Sequence, residues 1–183
     1  MMLFPHYQNV GRGIMKLDLR HLVYWVMVQN GGTALFSLLV GPLADRRGYR
    51  AVLRVVLLPI VLAPLLTMVF SLSPATGAGW FWLVFLMVGL TPVLIKAFQN
   101  YTLELAPRSE HPRYLATISL CIAAPMLFSP LLGLLIKWCQ QASWCPASMA
   151  FHPAFALIML LILYGWIRTF SLFEPRTALA SEQ

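Results

Sequence analysis

Five apolar runs, at about 21–42, 51–71, 80–100, 114–137 and 151–173, take up most of this 183-residue chain. The hydrocarbon core of a bilayer is about 30 Å thick and a helix rises about 1.5 Å per residue, so roughly 20 apolar residues make one crossing. Each run is that long. Within lipid the backbone must satisfy its own hydrogen bonds, which a helix does locally. With 60% hydrophobic residues, 10% charged residues and a mean hydropathy of +0.75, the chain also has too few polar side chains to coat a globule in water. The pattern predicts an all-α polytopic membrane bundle of five transmembrane helices, preceded by a segment 1–20 and followed by a tail 174–183.

The separators carry turn residues: Gly41 to Arg50, Ser73 to Gly79, Leu105 to Pro112, and Cys139 to Ala150. Short basic loops stay in the cytoplasm, which places Arg46, Arg47, Arg50, Arg54, Arg108, Arg113 and Arg176 inside. Alternation then puts the N-terminus outside and the tail in the cytoplasm. Residues 1–20 include Arg12, Lys16, Asp18 and Arg20 and have no apolar core of a signal peptide. Three basic residues ahead of an external first span conflict with autonomous insertion, so the expectation is a chain cut from a longer one. Trp25, Trp80, Trp82, Trp138 and Trp144 then fall near external span ends, as an interfacial belt would. The formal charge of +7 is spread over loops and helix ends with no basic stripe among aromatics, so topology and membrane lipid account for it and nucleic acid does not.

No enzyme chemistry is visible. The four histidines, His6, His21, His111 and His152, are scattered without metal-ligand spacing, and no metal or other cofactor is expected. No nucleophile motif, phosphate-cradling glycine loop or carboxylate pair occurs, so no catalytic residue is proposed. Cys139 and Cys145 share a loop where a local bridge is conceivable, while spacing alone does not establish one.

The separator Gly41-Pro42-Leu43-Ala44-Asp45-Arg46-Arg47-Gly48-Tyr49-Arg50 is the densest motif. It fits G-x-L-x-D-R-x-G-[RK]-[RK] at Gly41, Leu43, Asp45, Arg46, Gly48 and Arg50, with Tyr49 in place of a base. This pattern resembles the signature loop of the major facilitator superfamily of secondary transporters. Asn100 to Pro107, with Arg108 and Arg113, is similar to that family's loop between helices ten and eleven, and the ending Leu172 to Arg176 to its finish past helix twelve. On this resemblance the runs match helices eight to twelve over about residues 20–176, although the signature occurs in both halves and helices two to six remain an alternative.

The resemblance implies alternating-access transport of a small solute, as part or remnant of a carrier in a cell membrane such as the bacterial inner membrane. The complementary transporter half would be a partner. It also implies a conformational gate in which Asp45 docks on the positive N-terminal end of the fourth span, beside Arg46, Arg50 and Arg113. The blander reading leaves these charges solvated at the surface. Gln29, Asn30 and Thr33 flank Gly31 and Gly32 inside the first span and are candidates for the substrate pathway or for interhelical hydrogen bonds. Lys96 and Arg168 lie near span ends, where snorkelling explains them. A second reading is a non-transporting membrane protein that packs against another membrane chain.

The topology is directly testable. In a background without native cysteines, single cysteines at Ser73 and Ala142 should react with an impermeant thiol reagent added outside intact cells, and those at Ser109 and Ala178 should not. Labelling of Ser109 but not Ser73 would invert the arrangement.

Overall fold

The computed structural model describes residues 4–142, 145–146 and 149–173, so the tail 174–183 and Trp144 lie outside the described residues. Helices α1 (Phe4–Gly13), α2 (Leu19–Leu72), α3 (Pro74–Trp80), α4 (Trp82–Val88) and α5 (Thr91–Leu105) come first. They are followed by α6 (His111–Ala123), α7 (Ser129–Gln141) and α8 (His152–Arg168), with 3-10 turns at Arg108–Glu110, Ala124–Phe128 and Thr169–Ser171. No strand occurs among the described residues. Four helical stretches, 19–72, 82–105, 108–141 and 152–171, are long and apolar enough to cross a membrane.

The first of these has 54 residues, which at about 1.5 Å each is roughly 80 Å, enough for two crossings. It starts at Asp18, whose carboxylate accepts a 2.7 Å bond from the Leu19 N–H. Inside it only Gly48 leaves helical geometry, with φ 75° and ψ 168°. The signature segment is therefore not the eight-residue loop the sequence suggests. Residues 41–47 continue the helix, and a single glycine makes the break between an arm of about residues 19–47 and one of about 49–72.

Proline and glycine divide the remaining helices. Pro92, Pro112, Pro125, Pro130 and Pro153 each stand at the first or second position of a helical segment, where a missing N–H costs nothing. Thus the third apolar run is interrupted between Val88 and Thr91, and the fourth by the 3-10 turn at Ala124–Phe128. The expected turn at Ser73 to Gly79 is instead the short helix α3, started by Pro74. Ser73 also serves it as a backbone anchor, its carbonyl accepting a 2.8 Å bond from Gly77.

Two apolar clusters fill the bundle. Near the Gly48 turn, Ala44, Val52, Leu53, Val56, Val93, Ala97 and Tyr101 bring both α2 arms against α5. Toward the far end, Trp25, Phe81 and Phe85 form an aromatic group with centroid separations of 5.3 to 5.8 Å, against which α1, α7 and α8 pack. Trp25 is only 3% exposed and belongs to this core rather than to an interfacial belt, whereas Trp80 and Trp138 are exposed. Segment 1–20 also contributes to this core: Tyr7 is buried and its ring lies 5.1 Å from that of Phe155. Cys139 is buried and Cys145 half-buried, both as free thiols.

Lipid is as apolar as a leucine side chain, so close packing must do what water exclusion does in soluble proteins. One tight approach is at Gly89, where an added Cβ would lie 2.5 Å from the Gln29 carbonyl oxygen and 3.0 Å from that of Leu86. At Gly31 it would meet nothing within 4 Å. Gly89→Ala should therefore cost about 1–3 kcal/mol and lower the melting temperature of the purified protein, while Gly31→Ala should leave it unchanged or slightly raised. Equal melting of both variants would show that the two helices part without cost.

Candidate functional site

The signature turn is built on Gly48, whose positive φ is strained for any side chain. Gly48 and Ala44 are buried, which leaves Asp45, Arg46 and Arg47 exposed and Arg50 half-buried. Gly41 is exposed on the last turns of the first arm. Tyr49, which replaces a base of the motif, packs with Phe36, Val40 and Leu43 against the turn-side cluster. Arg113 is exposed in the first turn of α6, where its carbonyl accepts from the Thr117 hydroxyl at 3.0 Å.

The second arm of α2 does something its sequence does not advertise. Helix α8 ends in the 3-10 turn Thr169–Ser171, and the last carbonyls of a helix lack internal donors and carry its negative end. Guanidinium and phenol groups supply the donors. Arg50 donates from Nη1 to the Leu172 carbonyl at 2.9 Å. Arg54 donates from Nε and Nη2 to that of Thr169 at 3.4 and 3.3 Å, and from Nη2 to that of Phe170 at 3.4 Å. Tyr101 Oη donates to the Phe173 carbonyl at 2.7 Å. In return Trp166 Nε1 donates to the Arg54 carbonyl at 2.9 Å, and the Arg54 guanidinium sits 4.5 Å above the Phe170 ring.

Two elements, α2 and α5, thus converge on the end of α8. Arg54 reads in sequence as a topology charge one turn past the motif, and only its guanidinium over the α8 terminus reveals the clamp. The available signal was its spacing four residues after Arg50, which places both on one helix face.

The polar group of the first arm lies elsewhere. Thr33 Oγ1 donates to the Gly89 carbonyl at 2.7 Å and lies 3.1 Å from the Gln29 carbonyl, joining the first arm to the break between α4 and α5. Asn30 is exposed and donates from Nδ2 back to the Val26 carbonyl at 3.0 Å. The Gln29 Oε1 atom is buried and has no hydrogen-bond partner among the described residues, which costs on the order of 1–3 kcal/mol until a donor reaches it.

A cavity of about 370 Å³ opens within the bundle, lined among others by Tyr7, Ile60, Thr91, Phe98, Ile122 and Ile158. Six helices, α1, α2, α4, α5, α6 and α8, contribute to this wall with the 3-10 turn Ala124–Phe128, and among the described residues no charged one does. Gln29, Asn30 and Thr33 are not part of it. Lys96 and Arg168 are exposed, as snorkelling side chains are. Among the described residues no cluster of His, Cys, Asp and Glu could hold a metal ion.

Comparison with known proteins matches residues 17–180 to the family model described as Major Facilitator Superfamily. The chain belongs to that superfamily. The match covers the signature turn, all four membrane-length helical stretches and the end of α8. No curated protein and no solved structure matches the chain. This major facilitator chain is accordingly an integral membrane protein of a transporter family, and its members are transporters rather than enzymes.

The clamp predicts a local effect. Arg54→Gln removes a charge from the α8 terminus at partly exposed positions, so a loss of about 1 kcal/mol is expected. Amide exchange at residues 169–173 should accelerate roughly five-fold, and Arg47→Gln, at an exposed position, should leave it unchanged. Unaltered exchange in Arg54→Gln would dismiss the clamp.

Proposed function

We propose that this chain forms one wall of an alternating-access pathway for a small apolar or amphipathic solute, with the Gly48 turn on the cytoplasmic side. The observation that carries the reading is the open cavity of about 370 Å³ lined, among the described residues, by uncharged side chains of α1, α2, α4, α5, α6 and α8. Its lining selects against ions and strongly hydrated solutes, because a charge moved there loses hydration without gaining a counter-charge. Tyr7 and Thr91 are the hydroxyl groups able to orient a polar end of the solute. Gln29, Asn30 and Thr33 extend the pathway only in a state where the first arm has moved, and the buried Gln29 oxygen is the group that would then gain a donor.

The five crossings correspond to helices eight to twelve of the family, the signature turn joining the first pair. The stretch Arg108–Gln141 is the least covered, with Leu120 and Leu127 more than 70% exposed, and it is where a complementary transporter half would close the pathway. Gating follows from charge near the turn. Gly41 and Gly48 allow the turn to re-form, Asp45 docks on the α6 N-terminus in one state, and Arg46, Arg50 and Arg113 surround it. Breaking a contact of this kind is worth about 1 kcal/mol, or roughly a five-fold change in the ratio of states.

The test needs no knowledge of the solute. A single cysteine at Ile158 or Ile122 should react with impermeant reagents from one side in one state and from the other in the second. Asp45→Asn should shift that ratio about five-fold at unchanged expression. Reactivity confined to one side, and indifferent to Asp45→Asn, would remove the gate and with it the alternating cycle.

A further inference from the structure

Outside the central cavity, the far end of the bundle holds a second cleft of about 400 Å³ between α1, α7 and the start of α8. Its polar lining is His6, Asn9, Lys137 and Gln140, and its apolar floor includes Ile14, Ile136 and Phe151. Two glycines widen it. A Cβ at Gly13 would meet nothing within 4 Å, and one at Gly133 would meet only the His6 ring at 4.0 Å. Among the described residues no acidic one lines the cleft.

The electrostatics favour an anion. Lys137 is the cation of the lining, and in sequence Arg12 and Lys16 flank Gly13 and Ile14 with the same sign. The acid nearest to them in the chain, Asp18, already accepts from the Leu19 N–H at 2.7 Å. Burial holds His6 below the ordinary imidazole value, so near neutral pH its ring is uncharged and offers one N–H. His152, at the start of α8, is hydrogen-bonded to Ser71 at 2.7 Å.

The donor count narrows the anion further. An ammonium, two primary amides and an imidazole present about eight N–H groups, far more than the two oxygens of a carboxylate take up. A group with three or four acceptor oxygens matches them better. We propose that this cleft binds a phosphate group, with Lys137 as counter-charge and His6, Asn9 and Gln140 as hydrogen-bond donors. The phosphate comes from a phospholipid headgroup or from free phosphate. Leu134 and Trp138, both about 60% exposed on α7 beside Lys137, offer an apolar track for an acyl chain in the first case.

The experiment uses the full chain purified in a neutral detergent. Thermal melting is followed with phosphatidylglycerol against diacylglycerol, which lacks the phosphate, and with inorganic phosphate against chloride at matched ionic strength. Wild-type protein should be stabilised by phosphatidylglycerol, by inorganic phosphate, or by both. Apparent affinity should fall at least five-fold in Lys137→Met and in Gln140→Leu, recover in Lys137→Arg, and be unchanged in Lys96→Met, which alters an exposed lysine on α5. Stabilisation by the lipid alone assigns the phosphate to a headgroup, and by inorganic phosphate alone to the free anion. No stabilisation by either probe, equal stabilisation of Lys137→Met, or an equal loss in Lys96→Met would overturn the site.

Discussion

A helical run of 54 residues is far longer than a bilayer is thick, so α2 must fold back, and its one departure from helical geometry is at Gly48. That backbone conformation, φ 75°, sets the relation of the two arms. Val52, Leu53 and Val56 of the second arm then share a cluster with Ala44 of the first. Helix α5 packs on this pair, α8 packs along α2, and the α8 terminus reaches Arg50 and Arg54. A residue with a Cβ at position 48 would strain the turn by about 1–2 kcal/mol, and the cost would fall on every one of these contacts.

Away from the turn, the bundle depends on approach distance rather than on water exclusion. Gly89 lies against the backbone of the first arm, and Thr33 adds a 2.7 Å bond to the same carbonyl-bearing residue. Gly77 is closer still to its neighbour, since a Cβ there would fall 2.4 Å from the Phe70 carbonyl oxygen. Such contacts replace the hydrophobic drive that lipid removes. They also explain why the α4 to α5 break is placed at Gly89: the same residue ends one helix and admits the other arm.

Polar chemistry is divided by position along the bundle. The turn end carries guanidinium groups on helix carbonyls, the middle is an uncharged cavity, and the far end holds the Lys137 cleft. This order follows from cost. A charge at mid-membrane is expensive without a partner, whereas arginines near a helix C-terminus find carbonyl acceptors and a favourable dipole.

Much of the architecture was legible in one dimension because it depends on counting. Twenty apolar residues span a bilayer whatever their neighbours are, and the signature from Gly41 to Arg50 identified the superfamily on its own. Helix ends were harder to read. Residues 41–47 and 74–80 look like turns by composition yet stay helical: Pro74 is harmless at a helix start, Pro42 is accommodated inside α2, and one glycine, Gly48, suffices for the reversal. Partnerships were not readable at all. Trp25 as a core residue, Tyr7 in the cavity wall, and Arg54 and Tyr101 on the carbonyls just past α8 join positions up to 148 residues apart, as in the pairing of Tyr7 with Phe155. Apolar length is a property of each segment alone and is written into the sequence, but which side chain meets which carbonyl depends on the angle and depth at which helices pack, and that only the tertiary structure decides.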